Sequence, residues 1–196
     1  MNESLLTNES ENNITKETEA SLSYEEYESS KESDIKDHII SAISLNLTEI
    51  IKDNTGLKDF VSKDMFYLPI LPPISLYDYI NRLVKYNQME ISTLINAIIY
   101  IDTFCEKNKY VLCMNNVYLL LLSACLISLK FNEDKPINLK TYAQIAGISF
   151  EIVKHLEYSL CLFLQYDFYV KEDLYQSYYD YFTNYEVPYP KQGKEI

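Results

Sequence analysis

The sequence contains only three glycines among its 196 residues. Loops that cradle phosphate groups need several closely spaced glycines, so a glycine-rich phosphate loop is excluded. Strand-like alternation of apolar and polar residues is also lacking, and long stretches instead repeat apolar residues at helical spacing. The sequence therefore predicts an all-α fold.

Histidine is even scarcer than glycine, with His38 and His155 as the only two. Neither stands in an arrangement with Cys or Asp that is typical of catalysis or metal binding. Both fall in predicted helices, where a position on the helix surface is the simpler interpretation. We therefore predict that the protein is not an enzyme and needs no cofactor or metal.

Basic residues are outnumbered: 17 Lys and Arg stand against 29 Asp and Glu, which gives a net charge of −12. Nucleic-acid affinity rests mainly on basic side chains that neutralise phosphates, and no basic stripe is present. We expect no nucleic-acid partner. Residues 1–35 carry ten acids and two lysines, so this segment supplies −8 of the total. Such a composition predicts a disordered acidic tail.

The four cysteines, Cys105, Cys113, Cys125 and Cys161, show no close pairing, and three of them lie in apolar helical patterns. Buried reduced thiols explain them better than disulfides or a metal site. The polar, acidic start does not resemble a signal peptide. These features predict an intracellular protein of the cytoplasm, the nucleus or both.

One long apolar stretch lies between Asn115 and Asp134, with no charged residue from Val117 to Leu129. A helix that is apolar on all sides belongs in a core or a membrane. The apolar part is shorter than the roughly 18 to 20 residues that a membrane span needs, so we predict a buried core helix and no span. Lys130 would emerge where this helix reaches the surface, which makes it a candidate contact point.

The remaining periodic segments predict further helices, each with a polar or glycine boundary. Ser75 and Ser149 are expected to cap helix starts, Asn115 or Asn116 to cap the central helix, and Gly56 and Gly147 to end helices. The predicted helices span residues 33–53, 75–87, 90–107, 115–131, 138–146, 149–165 and 172–184. The last of these is rich in tyrosine. It would pack on the preceding helices or contact a partner.

Four fragments occur in an order that resembles the phosphate-regulon type (P-type or U-type) cyclins. They are YDYINRLVKY at 77–86, YIDTF at 100–104, NNVYLLLLSACLISLKFNED at 115–134 and YAQIAGISFEIVKHLEYSLCLFLQYDF at 142–168. The resemblance covers roughly residues 35–170. It implies a single five-helix cyclin box with an extra N-terminal helix, and it leaves room for a C-terminal one.

The resemblance also implies a heterodimer with a cyclin-dependent protein kinase, which such cyclins activate by pushing its mobile helix inward. Motif matching places the two polar kinase contacts at Lys130 and Glu157, with Leu119 and Phe131 as flanking apolar contacts. Simpler interpretations exist for both charges. Lys130 could merely complement the helix dipole, and Glu157 could pair with Lys154 on its own helix.

Arg82 is the only arginine beside sixteen lysines, which suggests a position that needs a planar, bidentate donor. By resemblance it would form a structural clamp with Asp102, between the first two box helices. An ordinary surface arginine is the alternative.

The resulting organisation is an acidic tail at 1–33, an N-terminal helix at 34–57, the cyclin box at 58–170 and a Tyr-rich helix and tail at 171–196. An all-helical interaction scaffold without any effect on a kinase is the main alternative function. A DNA-binding protein with a cyclin fold is a third possibility, which the acidic charge disfavours.

Overall fold

A computed structural model describes residues 31–135 and 137–188 of this chain. The chain divides into two units, Met1–His38 and Ile39–Ile196. Residues 31–38 of the first unit are helical, and the second unit begins with helix α1, residues 39–53. The residues predicted to be helical at 33–53 are therefore helical in each unit. Residues 1–30, which hold most of the predicted acidic tail, and residues 189–196 lie outside the described residues.

Six further α-helices follow a short 3₁₀ helix, Asn54–Phe60, and no strand occurs in the described ranges. The all-α prediction is confirmed. The helices are α2 (Leu76–Asn87), α3 (Ile91–Asn108), α4 (Met114–Asn132), α5 (Leu139–Ala146), α6 (Phe150–Phe163) and α7 (Glu172–Thr183).

Helix α4 forms the centre of the second unit. Every residue from Asn116 to Leu129 is buried, and α2, α3 and α6 pack around the helix. By length and composition alone α4 could cross a membrane, but 78% of the relevant window is buried within the fold. The uninterrupted apolar stretch thus serves as a core helix that has neighbours on all sides, as predicted.

Three of the predicted helix boundaries are confirmed by their cap geometry. The Ser75 side chain accepts a hydrogen bond from the backbone N–H of Asp78 at 3.0 Å, and Ser149 Oγ accepts from Ile152 at 3.3 Å. Gly147 ends α5 with a φ of 74°, a left-handed conformation that glycine adopts without steric cost.

Gly56 does not end a helix, and this prediction was wrong. It lies inside the 3₁₀ helix, because the chain tightens after residue 53 instead of turning into a left-handed cap.

The cap predicted for α4 was also wrong, because Cys113 is the N-cap residue. Asn116 instead accepts from the backbone N–H of Cys113 at 2.8 Å and donates to the carbonyl of Val111 at 2.9 Å. The Asn115 side chain donates to the carbonyl of Leu68 at 2.7 Å, while its own carbonyl accepts from the N–H of Leu68. The two asparagines therefore fasten the segments that lead into the helix bundle.

The Tyr-rich helix α7 packs on the bundle, as one of the two interpretations of that segment predicted. Phe182 is only 1% exposed, and the Tyr178 hydroxyl donates to Asp102 Oδ2 on α3 at 2.7 Å. The Asn46 side chain on α1 donates to the Tyr181 hydroxyl at 2.9 Å. Aromatic rings supply the buried area here, and their hydroxyl groups find partners at its edge.

Candidate functional site

The two residues that the sequence selects as polar contacts lie side by side in the structure. Lys130 is in the last turn of α4, Glu157 is near the middle of α6, and Lys130 Nζ lies 2.6 Å from Glu157 Oε1. Their side chains are 37% and 21% exposed. The pair therefore forms where the end of the buried helix meets α6, and both groups remain accessible to a partner.

The pairing of Glu157 with Lys154, which the sequence left open, is not what the structure shows. The Lys154 ammonium lies over the ring of Phe150, 5.5 Å from its centroid. Glu157 takes the lysine from the other helix. Lys130 still lies at the C-terminal end of α4, where a positive charge is favourable, so a dipole contribution and a partner contact are compatible.

An exposed aromatic residue, Phe131, directly follows Lys130. Phe131 is 55% exposed, and its ring packs 5.7 Å from that of Phe168, which lies 5.9 Å from Tyr100. The Tyr100 hydroxyl donates to the Phe168 carbonyl at 2.9 Å and so fixes the segment that follows α6. Phe131 thus presents much of its ring to solvent from a well-held position.

Helix α6 carries further exposed apolar side chains close to Glu157 in the sequence. Tyr158 and Leu162, one helical turn apart, are 58% and 48% exposed. Large apolar side chains grouped around a charged pair are typical of an interaction surface. We call the group formed by Lys130, Phe131, Glu157, Tyr158 and Leu162 the docking face.

Cys161, predicted only as a buried reduced thiol, lies beside the charged pair. Burial raises the pKa of its thiol, Glu157 raises it further, and Lys130 opposes the rise. The thiol is therefore kept neutral at physiological pH. Its place one turn after Glu157 could have been found from helical spacing alone.

The chain leaves α6 through two consecutive residues in the left-handed region, which the sequence did not reveal. Gln165 and Tyr166 have φ values of 58° and 57°, so α6 ends at Phe163 and not at the predicted residue 165. Left-handed conformation costs roughly 1–2 kcal/mol for a residue with a side chain. Tyr166 is 57% exposed here, with its ring 6.2 Å from Phe168.

Leu119 does not contribute to the docking face, which corrects its assignment as a flanking contact. It is 6% exposed and belongs to the hydrophobic core. Because every residue from Asn116 to Leu129 is buried, only the two ends of α4 can offer residues to a partner.

The structure does not bring Arg82 and Asp102 together. Arg82 is exposed on α2, and no ion pair joins the two residues within the described ranges. Burial raises the pKa of Tyr79, and the charge of Arg82, three residues later on the same helix, opposes that rise. Asp102 faces α7 instead, where Tyr178 is its hydrogen-bond donor.

Helices built around one buried central helix, with a charged pair at its end, have the architecture of a cyclin box. The family model for cyclins matches residues 2–168, and the chain belongs to the cyclin family. The match ends close to the predicted end of the box but begins well before residue 35, where the resemblance was first placed.

Individual relatives point to the P- and U-type branches, as the sequence fragments predicted. The chain is 30% identical to Cyclin-U4-3 of Arabidopsis thaliana over 63% of its own length and 57% of the relative. It is 29% identical to Cyclin-P3-1 of Oryza sativa subsp. japonica, over 67% of this chain and 54% of that protein. It is 26% identical to PHO85 cyclin-7 of Saccharomyces cerevisiae, over 83% and 69%. The chain thus spans little more than half the length of the two plant relatives.

Proposed function

We propose that this chain binds and activates a cyclin-dependent protein kinase as its regulatory subunit, through the docking face. The observation that carries the proposal is the contact between Lys130 and Glu157, which the sequence selected separately and the fold brings within 2.6 Å. Membership of the cyclin family supports a regulatory role, and one relative bears the name of a PHO85 cyclin.

The chemistry of the pair suits the recognition of a kinase backbone. An ammonium group carries three N–H donors, and Glu157 accepts from Lys130 through Oε1. Upon docking, Lys130 would donate to carbonyl groups of the kinase, while Glu157 would accept from its N–H groups. Hydrogen bonds that involve a charged partner are about twice as strong as neutral ones. In the free protein the two opposite charges hold each other in place at the surface.

The apolar part of the docking face would supply the area that such contacts need. Phe131 and Tyr158 are large, held by their helices and more than half exposed. Aromatic residues of this kind provide most of the binding energy in many interfaces, and the polar groups beside them fix the orientation. The docking face combines both elements within two helices.

Activation would follow from the position that the kinase's mobile helix takes against this face. Kinases need an internal Lys–Glu pair and an ordered activation loop before phosphoryl transfer proceeds. A partner that binds only the inward position of the mobile helix shifts the kinase toward that active state. The cyclin chain supplies binding energy in this scheme and no catalytic group.

Affinity purification of the tagged chain with mass spectrometry, followed by a kinase assay on the purified pair, tests the proposal. We expect Lys130→Ala and Glu157→Ala to reduce both kinase recovery and kinase activity at least tenfold. Lys140→Ala on α5 and Glu172→Ala on α7 are matched controls, since both residues are exposed and lie outside the docking face. Far-ultraviolet circular dichroism, which measures helix content, would verify that every variant is folded.

Three outcomes would contradict the proposal. If no protein kinase is recovered, or if the chain leaves the activity of a recovered kinase unchanged, kinase activation is excluded. Equal recovery with the native chain and with both docking-face variants would favour the helical scaffold without kinase-activating role.

We also propose that the protein acts inside the cell, in the cytoplasm, the nucleus or both. A kinase partner and four free cysteines support this location, because thiols persist in reducing compartments. Microscopy of a fluorescent fusion in living cells would test it, and secretion of the fusion would contradict it.

A further inference from the structure

A pocket of about 350 Å³ lies where α1, α3 and α7 meet. Its walls include a carboxylate, three aromatic rings, one aliphatic side chain and one amide. They belong to Asp102, Tyr178, Tyr181, Phe182, Ile50 and Asn46. The volume lies at the lower end of the range of small-ligand sites. None of these residues belongs to the docking face.

The carboxylate of Asp102 lacks a positively charged partner in the described part of the fold. Its Oδ2 accepts from the Tyr178 hydroxyl, and Arg82 does not reach it. The charge that acts on it comes from Glu106, four residues later on α3, and has the same sign. A half-buried carboxylate in such surroundings is destabilised until a cation approaches.

Three aromatic rings form much of the remaining wall in a fixed arrangement. Phe182 is buried, and its centroid lies 6.3 Å from that of Tyr178 and 5.2 Å from that of Tyr181. Tyr181 is 51% exposed, so it stands at the entrance, where Asn46 donates to its hydroxyl. The faces of aromatic rings attract cations, and rings grouped around a small space are a common way to bind ammonium groups.

We propose that this pocket, which we call the α3–α7 pocket, binds an alkylammonium group. Asp102 would pair with the charge, and Tyr178 and Tyr181 would contact the carbons that carry it. The same chemistry is offered by a free amine and by a lysine side chain of a partner protein. A metal cation fits less well, because only one carboxylate is present and the other walls are largely aromatic.

Titration of ¹⁵N-labelled full-length protein, followed by NMR, tests the pocket directly. The probes are spermidine, the peptide-like compound Nα-acetyl-lysine-methylamide, which keeps its side-chain ammonium group, and sodium chloride at matched ionic strength. We expect saturable shifts that include the side-chain amide of Asn46 with one or both amines, and none with sodium chloride. Tighter binding of spermidine would identify a free amine as the source, and tighter binding of the lysine compound would identify a partner's side chain.

Substitutions separate this site from the general acidity of the protein. Asp102→Asn keeps the shape but removes the charge, and we expect affinity to fall about tenfold or more. Tyr181→Ala removes a ring at the exposed entrance and should also weaken binding, with little risk to folding. Asp173→Asn is the matched control, because it removes one exposed charge from α7 outside the pocket.

The proposal is overturned by any of three results. The first is that neither amine causes a saturable shift. The second is an unchanged affinity in both Asp102→Asn and Tyr181→Ala. The third is a loss of affinity in Asp173→Asn as large as that in Asp102→Asn.

Discussion

Two polar pairs of this protein differ in whether their charges are balanced. Lys130 and Glu157 neutralise each other at the surface, where α4 ends against α6. Asp102 and Tyr178 join α3 to α7 through one hydrogen bond, but no cation accompanies the carboxylate. Removal of the first pair should change folding little and, under the proposed function, weaken kinase binding strongly. The second pair has two opposing effects on the folded state. Its hydrogen bond stabilises the fold, and the unpaired charge of Asp102 destabilises it.

The largest effect should come from removing the apolar anchor beside the second pair. Phe182 is fully packed between α7 and the bundle, so Phe182→Ala should lower the free energy of unfolding by about 3–5 kcal/mol. Phe131→Ala, next to Lys130, removes a ring that is more than half exposed and should cost less than about 1 kcal/mol. Urea unfolding followed by circular dichroism measures both. A similar decrease in unfolding free energy for both variants would contradict the difference between the two regions.

Removing the hydroxyl group of Tyr178 should have the next largest effect. Tyr178→Phe leaves Asp102 half-buried without its donor, which typically costs about 1–3 kcal/mol. Ser177→Ala is a useful control on the same helix, because that hydroxyl bonds only within α7. Thermal unfolding at pH 7 should show a clear decrease in Tm for the first variant and a small change for the second. An unchanged Tm in Tyr178→Phe would mean that water replaces the donor without loss.

Asp102→Asn should instead stabilise the protein at neutral pH, because it removes a half-buried negative charge. Burial raises the pKa of Asp102, the Tyr178 hydrogen bond opposes the rise, and Glu106 adds to it. A carboxyl group with a raised pKa in the folded state stabilises most below its unfolded pKa of about 3.9, and this contribution is lost as pH rises through the folded pKa. Asp102→Asn has no carboxyl group to ionise, so its stability does not fall in this way as pH rises.

The measurement is the difference in unfolding free energy between Asp102→Asn and the native chain at several pH values. The difference should favour the variant at pH 7 and shrink or reverse toward pH 3. Nearby titratable groups besides Glu106 are Tyr178 and Cys105, and burial raises the pKa of both, to about 12 for Cys105. Neither changes its charge in this range. A difference that is constant with pH would contradict the assignment to Asp102.

The sequence predicted most of the helices because their spacing and several of their caps are local properties. Ser75, Ser149 and Gly147 bond within their own helix ends, and all three were found. Asn115 was misassigned because its partner, Leu68, lies 47 residues away. Which polar side chain finds a distant partner depends on packing, and helical periodicity carries no information about it.

The same distinction explains the candidate sites. Lys130 was predictable as the first charge after a long apolar stretch, and resemblance to known cyclins supplied Glu157. Their mutual contact, however, depends on how α4 and α6 cross. For Asp102 the family pattern indicated Arg82, whereas the fold turns the carboxylate toward α7. Nothing in the sequence around Asp102 indicates that its hydrogen-bond donor is Tyr178, 76 positions later.

The smallest effect should be the coupling between Lys130 and Glu157, and its size separates a binding role from a structural one. An exposed ion pair contributes about 0.2–1 kcal/mol to stability and less when salt screens it. A double-mutant cycle with Lys130→Ala, Glu157→Ala and the double variant should therefore yield a coupling energy within that range, and 0.5 M salt should reduce it. The same cycle measured on kinase affinity should yield a larger coupling, because docking removes both charges from water. Couplings of equal size in the two experiments would show that the pair acts in folding alone.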